Sequence, residues 1–247
     1  PGVWQYEALA FKPGLVMRWF RDGFCQEEKR KAKEIGDDPY NLMNREAEKI
    51  PAGCYGMMCC FSDVMNFINW KHAAPTFTNF ELLPEKFNKY TFYRSILENT
   101  AMLVKGHIEL VKEATGNEPD KLIFAGGASV SDLWSQILAD VTGKTVVTPV
   151  VKEATALGAA ILAGYGVGIY PSIAEGAARC AKVDKTFTPN FENIVTVPAS
   201  PYKTSFHSKL SPVNSTLWKN GAILYTTDFA DLLLLSLSSF SSSCIFI

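Results

Sequence analysis

Residues 122–140 restrict the fold more than any other part of this chain: Leu-Ile-Phe-Ala-Gly-Gly-Ala-Ser-Val-Ser-Asp-Leu-Trp-Ser-Gln-Ile-Leu-Ala-Asp. A short apolar run stops at a glycine pair, and a helical pattern opens near Ser131. That is a buried strand handed to a helix through a tight turn. Glycines at such a point let a ligand approach the backbone with no Cβ in the way. The helix start beyond presents unpaired N–H groups and a positive dipole end. Together these suit a nucleotide phosphate or ribose. A turn that carries glycine for geometry alone reads equally well from this segment. The spacing is neither G-x-G-x-x-G nor G-x-x-x-x-G-K-[ST], which excludes a Rossmann fingerprint and a P-loop.

The alternation continues on both sides. Residues 3–11 read as a short strand or entry segment, punctuated by Pro13-Gly14. Leu15, Val16, Trp19, Phe20 and Phe24 recur at helical spacing and predict one helix from 15 to about 35, stopped at Gly36. Asp38 caps a second helix over 39–50. Strands are expected over 54–61 and 76–80. The longest helical pattern is 86–115, with Phe87, Tyr90, Ile96, Leu97, Leu103, Val104, Ile108 and Val111 on its buried face. A strand over 121–125, a helix over 131–141, a strand over 146–150 and a helix over 154–164 follow. Short connections between alternating strands and helices define an α/β architecture. The last helix begins with small residues, which admits a ligand or close packing against the sheet. Gly14 at a helix start, with Arg18 one turn in, could meet a phosphate, although a surface arginine is the commoner outcome.

The 247 residues are 47 % hydrophobic with a net charge of −1, enough for a true core in one large domain or two small ones. Without basic blocks there is no reason to expect nucleic acid or an anionic membrane as a partner. The mixed-sign runs 27–33 and 46–49 read as solvated helix faces. None of the six cysteines forms a C-x-x-C pair, so they are expected to pack as small hydrophobes. The three histidines lack zinc-ligand spacing. No signal peptide is visible, which makes the cytoplasm the expected compartment. The opening Pro1-Gly2-Val3, with no initiator Met, suggests a cut-out domain or processed fragment.

Composition changes near Asn193. The last 55 residues hold five of the 49 charged residues and eleven serines. They end in an apolar, serine-rich run too short for a good transmembrane helix. A frame-shifted reading or a divergent extension would each explain that bias.

The pattern G-G-A-S-x-S-x-x-W-x-Q-x-L-A-D-x-x-G, followed by P-x-V-K-E-A-T-A-L-G-A-A, resembles the C-terminal lobe of the FGGY carbohydrate kinases. Residues 3–22 also resemble the approach to that lobe's first helix, and the likeness covers about residues 1–192. The resemblance implies an actin-like ATPase (ribonuclease H-like) fold, the ATP-binding lobe of a two-lobe sugar kinase over 1–192, and a divergent tail over 193–247. It places Gly127 against the phosphates of ATP and Ser131 beside the adenine, with Gly126, Ala128 and Ser129 in the same loop. Gly14 and Arg18 match positions along the phosphate tail. Asp140 and Glu153 are expected to hold the lobe together rather than touch substrate.

In this family the sugar-like substrate and an aspartate general base lie on the N-terminal lobe, with Mg²⁺ neutralising the phosphates. No carboxylate of this chain matches that base. The resemblance therefore implies an inactive fragment by itself, one that could self-associate through its exposed inter-lobe face. A pentulose or polyol kinase, or a non-catalytic nucleotide-binding module, are the alternative readings.

Overall fold

The computed structural model describes residues 13–60, 76–193 and 245–246. The predicted entry segment 3–11 and most of the tail lie outside these. The helices are α1 (Pro13–Phe24), α2 (Gln26–Ile35), α3 (Pro39–Ala47), α4 (Lys89–Thr115), α5 (Asp132–Thr142), α6 (Ala154–Gly166) and α7 (Ile173–Cys180). The strands are β1 (Met58–Cys60), β2 (Thr76–Thr78), β3 (Lys121–Phe124), β4 (Thr145–Pro149), β5 (Val183–Phe187) and β6 (Ile245–Phe246). β1 and β2 form a small antiparallel ribbon. The main sheet has the order β5-β4-β3-β6, with β3 and β4 parallel and both outer strands antiparallel to their neighbours.

Alternation along the strands builds the core. Leu122, Phe124 and Val146 join Leu103, Val104 and Ile108 of α4 and Ile137 and Leu138 of α5 in one buried cluster, which extends to Val16, Met17 and Phe20 of α1. α4 starts three residues later than the pattern suggests because Asn88 Oδ1 accepts the Tyr90 N–H at 3.0 Å and caps it there. At 27 residues it is about 40 Å long, against about 13 Å for the four-residue β3. Its surplus N-terminal half carries α1 and α3: Phe20 stacks on Tyr93, and the Tyr93 hydroxyl donates to Asn44 Oδ1 at 2.9 Å.

The single helix expected over 15–35 is two. At Cys25 the backbone leaves helical geometry (φ −114°, ψ 47°). The bend buries the Cys25 thiol completely and carries Glu28 to the start of α4. There Glu28 Oε1 lies 2.6 Å from Lys89 Nζ and accepts the Tyr90 hydroxyl at 2.6 Å. Those contacts outweigh one interrupted turn, in a helix already weakened by Gly23. The α1 stripe is also offset: Val16, Met17 and Phe20 are buried, while Leu15, Trp19 and Phe24 are about half exposed. The 27–33 run is solvated as expected, with exposed Lys31–Glu27 and Arg30–Glu34 pairs, apart from Glu28.

Burial pushes the Glu28 carboxyl up, but the bonds from Lys89 and Tyr90 prevail and hold it below its ordinary value. A depressed pKa stabilises the fold above the unfolded value near 4.5, and the contribution disappears as pH falls through the folded value. Glu28→Gln should therefore lower stability by about 1.5–3 kcal/mol at neutral pH. The difference from the parent should shrink below about pH 4.5, as urea titrations at several pH values will show.

The strand expected over 54–61 begins only at Met58. Gly53, Cys54, Tyr55 and Gly56 instead have φ of 82°, 51°, 58° and 90°, four successive left-handed residues that form a turn. Cys25, Cys54 and Cys59 are buried, as expected for cysteines packed as hydrophobes, and Cys180 is half-buried. Burial, reinforced by Glu28, pushes the Cys25 thiol up to about 11.

α7 and β5 have no counterpart in the sequence reading. α7 is fixed by Ser172 Oγ, which accepts the Glu175 N–H at 3.1 Å, and by the Tyr170 ring lodged between α6 and α7. A Cβ on Gly176 would meet Ile161 Cγ2 at 2.8 Å and Tyr170 Cδ2 at 2.9 Å, and one on Gly164 would meet Tyr170 Cε2 at 2.6 Å. Gly176→Ala should therefore cost about 1–3 kcal/mol through overpacking, measurable as a lower urea midpoint. No described helix is long and apolar enough to cross a membrane.

Candidate nucleotide-binding site

β3 and β4 run parallel, so the loops that follow them leave from the same edge of the sheet. In open α/β sheets the crevice outside the carboxyl ends of parallel strands is where ligands bind. The two loops are tied together there, with the Gly126 N–H donating to the Lys152 carbonyl at 2.8 Å.

The two glycines have different tasks. Gly126 has φ 87° and ψ −177°, a conformation essentially closed to any residue with a side chain. It turns the chain sharply as it leaves the buried Ala125. Gly127 needs no unusual backbone angle. A Cβ there would meet nothing within 4 Å, so the space over this exposed residue is open.

Residues 127–130 then make one tight turn. Its shape is set from inside: the Ser129 hydroxyl donates to the Gly126 carbonyl at 2.7 Å, and the Ser131 N–H donates to the Ala128 carbonyl at 3.1 Å. Ser129 is only 2 % exposed, so its hydroxyl shapes the loop and does not face outward. Ser131 caps α5, its Oγ accepting the Trp134 N–H at 3.1 Å while its carbonyl accepts the Ser135 hydroxyl at 2.9 Å. The half-buried Ala128 and Ser131 and the exposed Gly127 thus form one surface at the positive end of a helix.

The structure unites Gly126, Gly127, Ala128, Ser129 and Ser131. Gly14 and Arg18 lie on the first turn and a half of α1, with Arg18 exposed near Tyr40. Among the described residues no hydrogen bond or ion pair joins them to the 126–131 loop. Asp140 is buried in packing. It accepts Gln136 Nε2 at 2.7 Å, the Asn190 N–H at 2.8 Å and Asn193 Nδ2 at 3.0 Å, pinning the chain around 190–193 onto α5. The exposed Glu153 precedes α6 without a side-chain capping bond.

Sequence reasoning missed the charged residues of β5 beside the loop. Lys185 Nζ lies 2.8 and 2.7 Å from the Asp132 oxygens, and Asp184 Oδ2 lies 2.9 Å from Lys152 Nζ. The bond to Asp132 holds the Lys185 ammonium above its usual pKa, and the bond to Lys152 holds Asp184 below its own. Among the described residues no three His, Cys, Asp or Glu gather to hold a metal ion.

A parallel strand pair, a Gly-Gly turn into a capped helix and a second loop hydrogen-bonded to the first define a lobe of the α/β type. The sequence profile of the FGGY family of carbohydrate kinases, C-terminal domain, matches residues 1–167. The chain belongs to that family. The autoinducer-2 kinase of Salmonella choleraesuis (strain SC-B67) is 52 % identical over 193 residues, 78 % of this chain and 36 % of that protein. The autoinducer-2 kinase of Yersinia enterocolitica serotype O:8 / biotype 1B is 44 % identical over 225 residues, 89 % of this chain and 42 % of that protein. This chain therefore spans well under half the length of the curated relatives it matches.

Among solved structures, xylulose kinase from Rhodospirillum rubrum superposes with a TM-score of 0.53 at 22 % identity, over 83 % of this chain and 38 % of that one. Plasmodium falciparum glycerol kinase with ADP gives 0.54 at 18 % identity, over 86 % and 38 %. The fold is the actin-like ATPase fold of these sugar kinases.

Proposed function

We propose that this chain is the ATP-binding lobe of a carbohydrate kinase that transfers the γ-phosphate of ATP to a hydroxyl of a small sugar-like molecule. The relatives' names suggest autoinducer-2, a linear dihydroxypentanedione, as that substrate. The observation that carries the nucleotide reading is the 126–131 loop, with a Gly-only backbone at Gly126 and open space above Gly127. Backbone N–H groups of such a loop and the start of α5 favour phosphate oxygens. Gly126, Gly127 and Ala128 would receive the phosphates, Ser131 would lie at the adenine end, and Ser129 would keep the loop in shape. In this reading Gly14 and Arg18 of α1 would line the phosphate tail. Mg²⁺ accompanies the nucleotide phosphates, with no carboxylate of this chain assigned to it.

Phosphoryl transfer relies on positioning and charge stabilisation, with a carboxylate to take the hydroxyl proton. Asp132, beside the loop in sequence, is already paired with Lys185. In this reading the proton acceptor and the sugar contacts come from the remainder of a full-length kinase, since this chain spans only 36–42 % of the relatives it matches. In this reading residues 1–192 form the lobe and 193–247 a divergent tail, from which β6 (Ile245–Phe246) adds an edge strand beside β3. Calorimetric titration of the chain with Mg-ATP tests the proposal. Saturable one-site binding is expected, and a folded protein that binds no adenine nucleotide refutes it.

A further inference from the structure

Pro149 ends β4 inside the sheet, where a residue without an N–H cannot serve the ladder to β5. The pairing there is irregular. Thr148 pairs with Lys185 and Pro149 with Val183, which leaves Asp184 as the extra residue of a β-bulge. Beyond the bulge the strands remain tied, the Val150 N–H donating to the Lys182 carbonyl at 2.9 Å.

Bulges beside functional sites commonly re-aim a side chain. Here the bulged Asp184 reaches Lys152 Nζ at 2.9 Å, and the carbonyl of Lys152 is the acceptor of the Gly126 N–H. The next residue, Lys185, grips Asp132, the first residue of α5. Two successive residues of one edge strand thus hold the two ends of the 126–131 loop. Lys185 also neutralises a carboxylate that would otherwise oppose an anion at the α5 N-terminus.

We propose that Asp184 and Lys185 are positioning residues for the nucleotide, clasping both ends of the loop that receives its phosphates; the proposal rests on the nucleotide reading above. A loop held in its binding shape loses less conformational freedom when ligand arrives. Both pairs are partly exposed, so the effect of breaking either is modest.

The test uses the whole chain, with amide exchange followed by NMR and Mg-ATP affinity followed by calorimetry. Asp184→Asn should speed exchange of the Gly126 amide about two- to five-fold, with the amides of Leu122 and Ile123 unchanged. It should weaken Mg-ATP by a similar factor, and Lys185→Met should weaken it comparably. Exchanging the charges, Lys152→Asp with Asp184→Lys, should recover both readouts. Parent-like exchange and affinity in Asp184→Asn, or no recovery in the exchanged pair, overturns the proposal. If the parent binds no Mg-ATP while Asp184→Asn still accelerates Gly126, the clasp is real but the nucleotide reading and this role both fall.

Discussion

Replacing Arg94 by alanine is expected to destabilise the chain by about 3–5 kcal/mol, the largest stability loss of any single substitution considered for this fold. Arg94 and Glu98 are 7 % and 5 % exposed, with Arg94 Nε 2.8 Å from Glu98 Oε1. Removing one partner of a buried pair leaves the other charge without water or counter-ion, which costs far more than the net value of the pair. Further bonds depend on the same groups. Arg94 Nη1 donates to the Ala47 carbonyl at 3.2 Å, and the Glu98 carboxylate accepts the Gly53 N–H at 3.1 and 3.2 Å and the Cys54 thiol at 3.5 Å. Burial, and then the Glu98 charge, push that thiol well above its ordinary pKa.

The pair therefore ties the end of α3 and the left-handed turn at 53–56 to α4. A turn with two non-glycine residues at positive φ stores strain that its surroundings must outweigh, and Glu98 supplies that constraint. The exposed Arg30–Glu34 pair is the natural control, since Arg30→Ala should cost no more than about 1 kcal/mol. Equal losses in Arg94→Ala and Arg30→Ala, measured by urea denaturation, would show that the Glu98 site is solvated and the argument wrong.

These long-range bonds also mark the limit of what the sequence could disclose. α4, β3, α5 and β4 were legible to within three residues because their signals are local: apolar periodicity, Ser131 at a helix start, and Gly116 and Gly143 where helices stop. The break at Cys25 was not, because it follows from Glu28 meeting Lys89 and Tyr90 about sixty residues later. The 53–56 turn looked like an apolar strand for the same reason, since its geometry depends on Glu98. β5 reads as Val-Asp-Lys-Thr-Phe, with too little apolar alternation to declare a strand, and it exists by pairing with β4. Pro149 was the available clue, a proline at the end of a buried strand, which asks for a bulge opposite. In the site, the loop was legible from its glycines and serines. That Ser129 turns inward, and that β5 supplies two charges, required the tertiary structure.

Gly127→Trp is expected to weaken Mg-ATP binding about a hundred-fold or more while leaving stability within about 0.5 kcal/mol of the parent. Both halves follow from one observation. Gly127 does not use positive φ, and a Cβ placed on it meets nothing within 4 Å, so the fold can accept a side chain there. The same open space is where the proposed phosphates would lie, and an indole would fill it. The neighbouring glycine predicts the opposite pattern. Gly126→Ala forces a side chain onto a backbone conformation that costs about 1–3 kcal/mol. It should lower stability and disturb the Gly126 bond to Lys152, and any loss of nucleotide affinity would follow from the distorted loop. Urea denaturation and calorimetric titration of the two variants, side by side, separate the roles. A Gly127→Trp protein that is folded and binds Mg-ATP like the parent would move the phosphates away from this loop. One that is folded and has lost binding, beside a destabilised Gly126→Ala, would show one glycine serving the chain and the other the ligand.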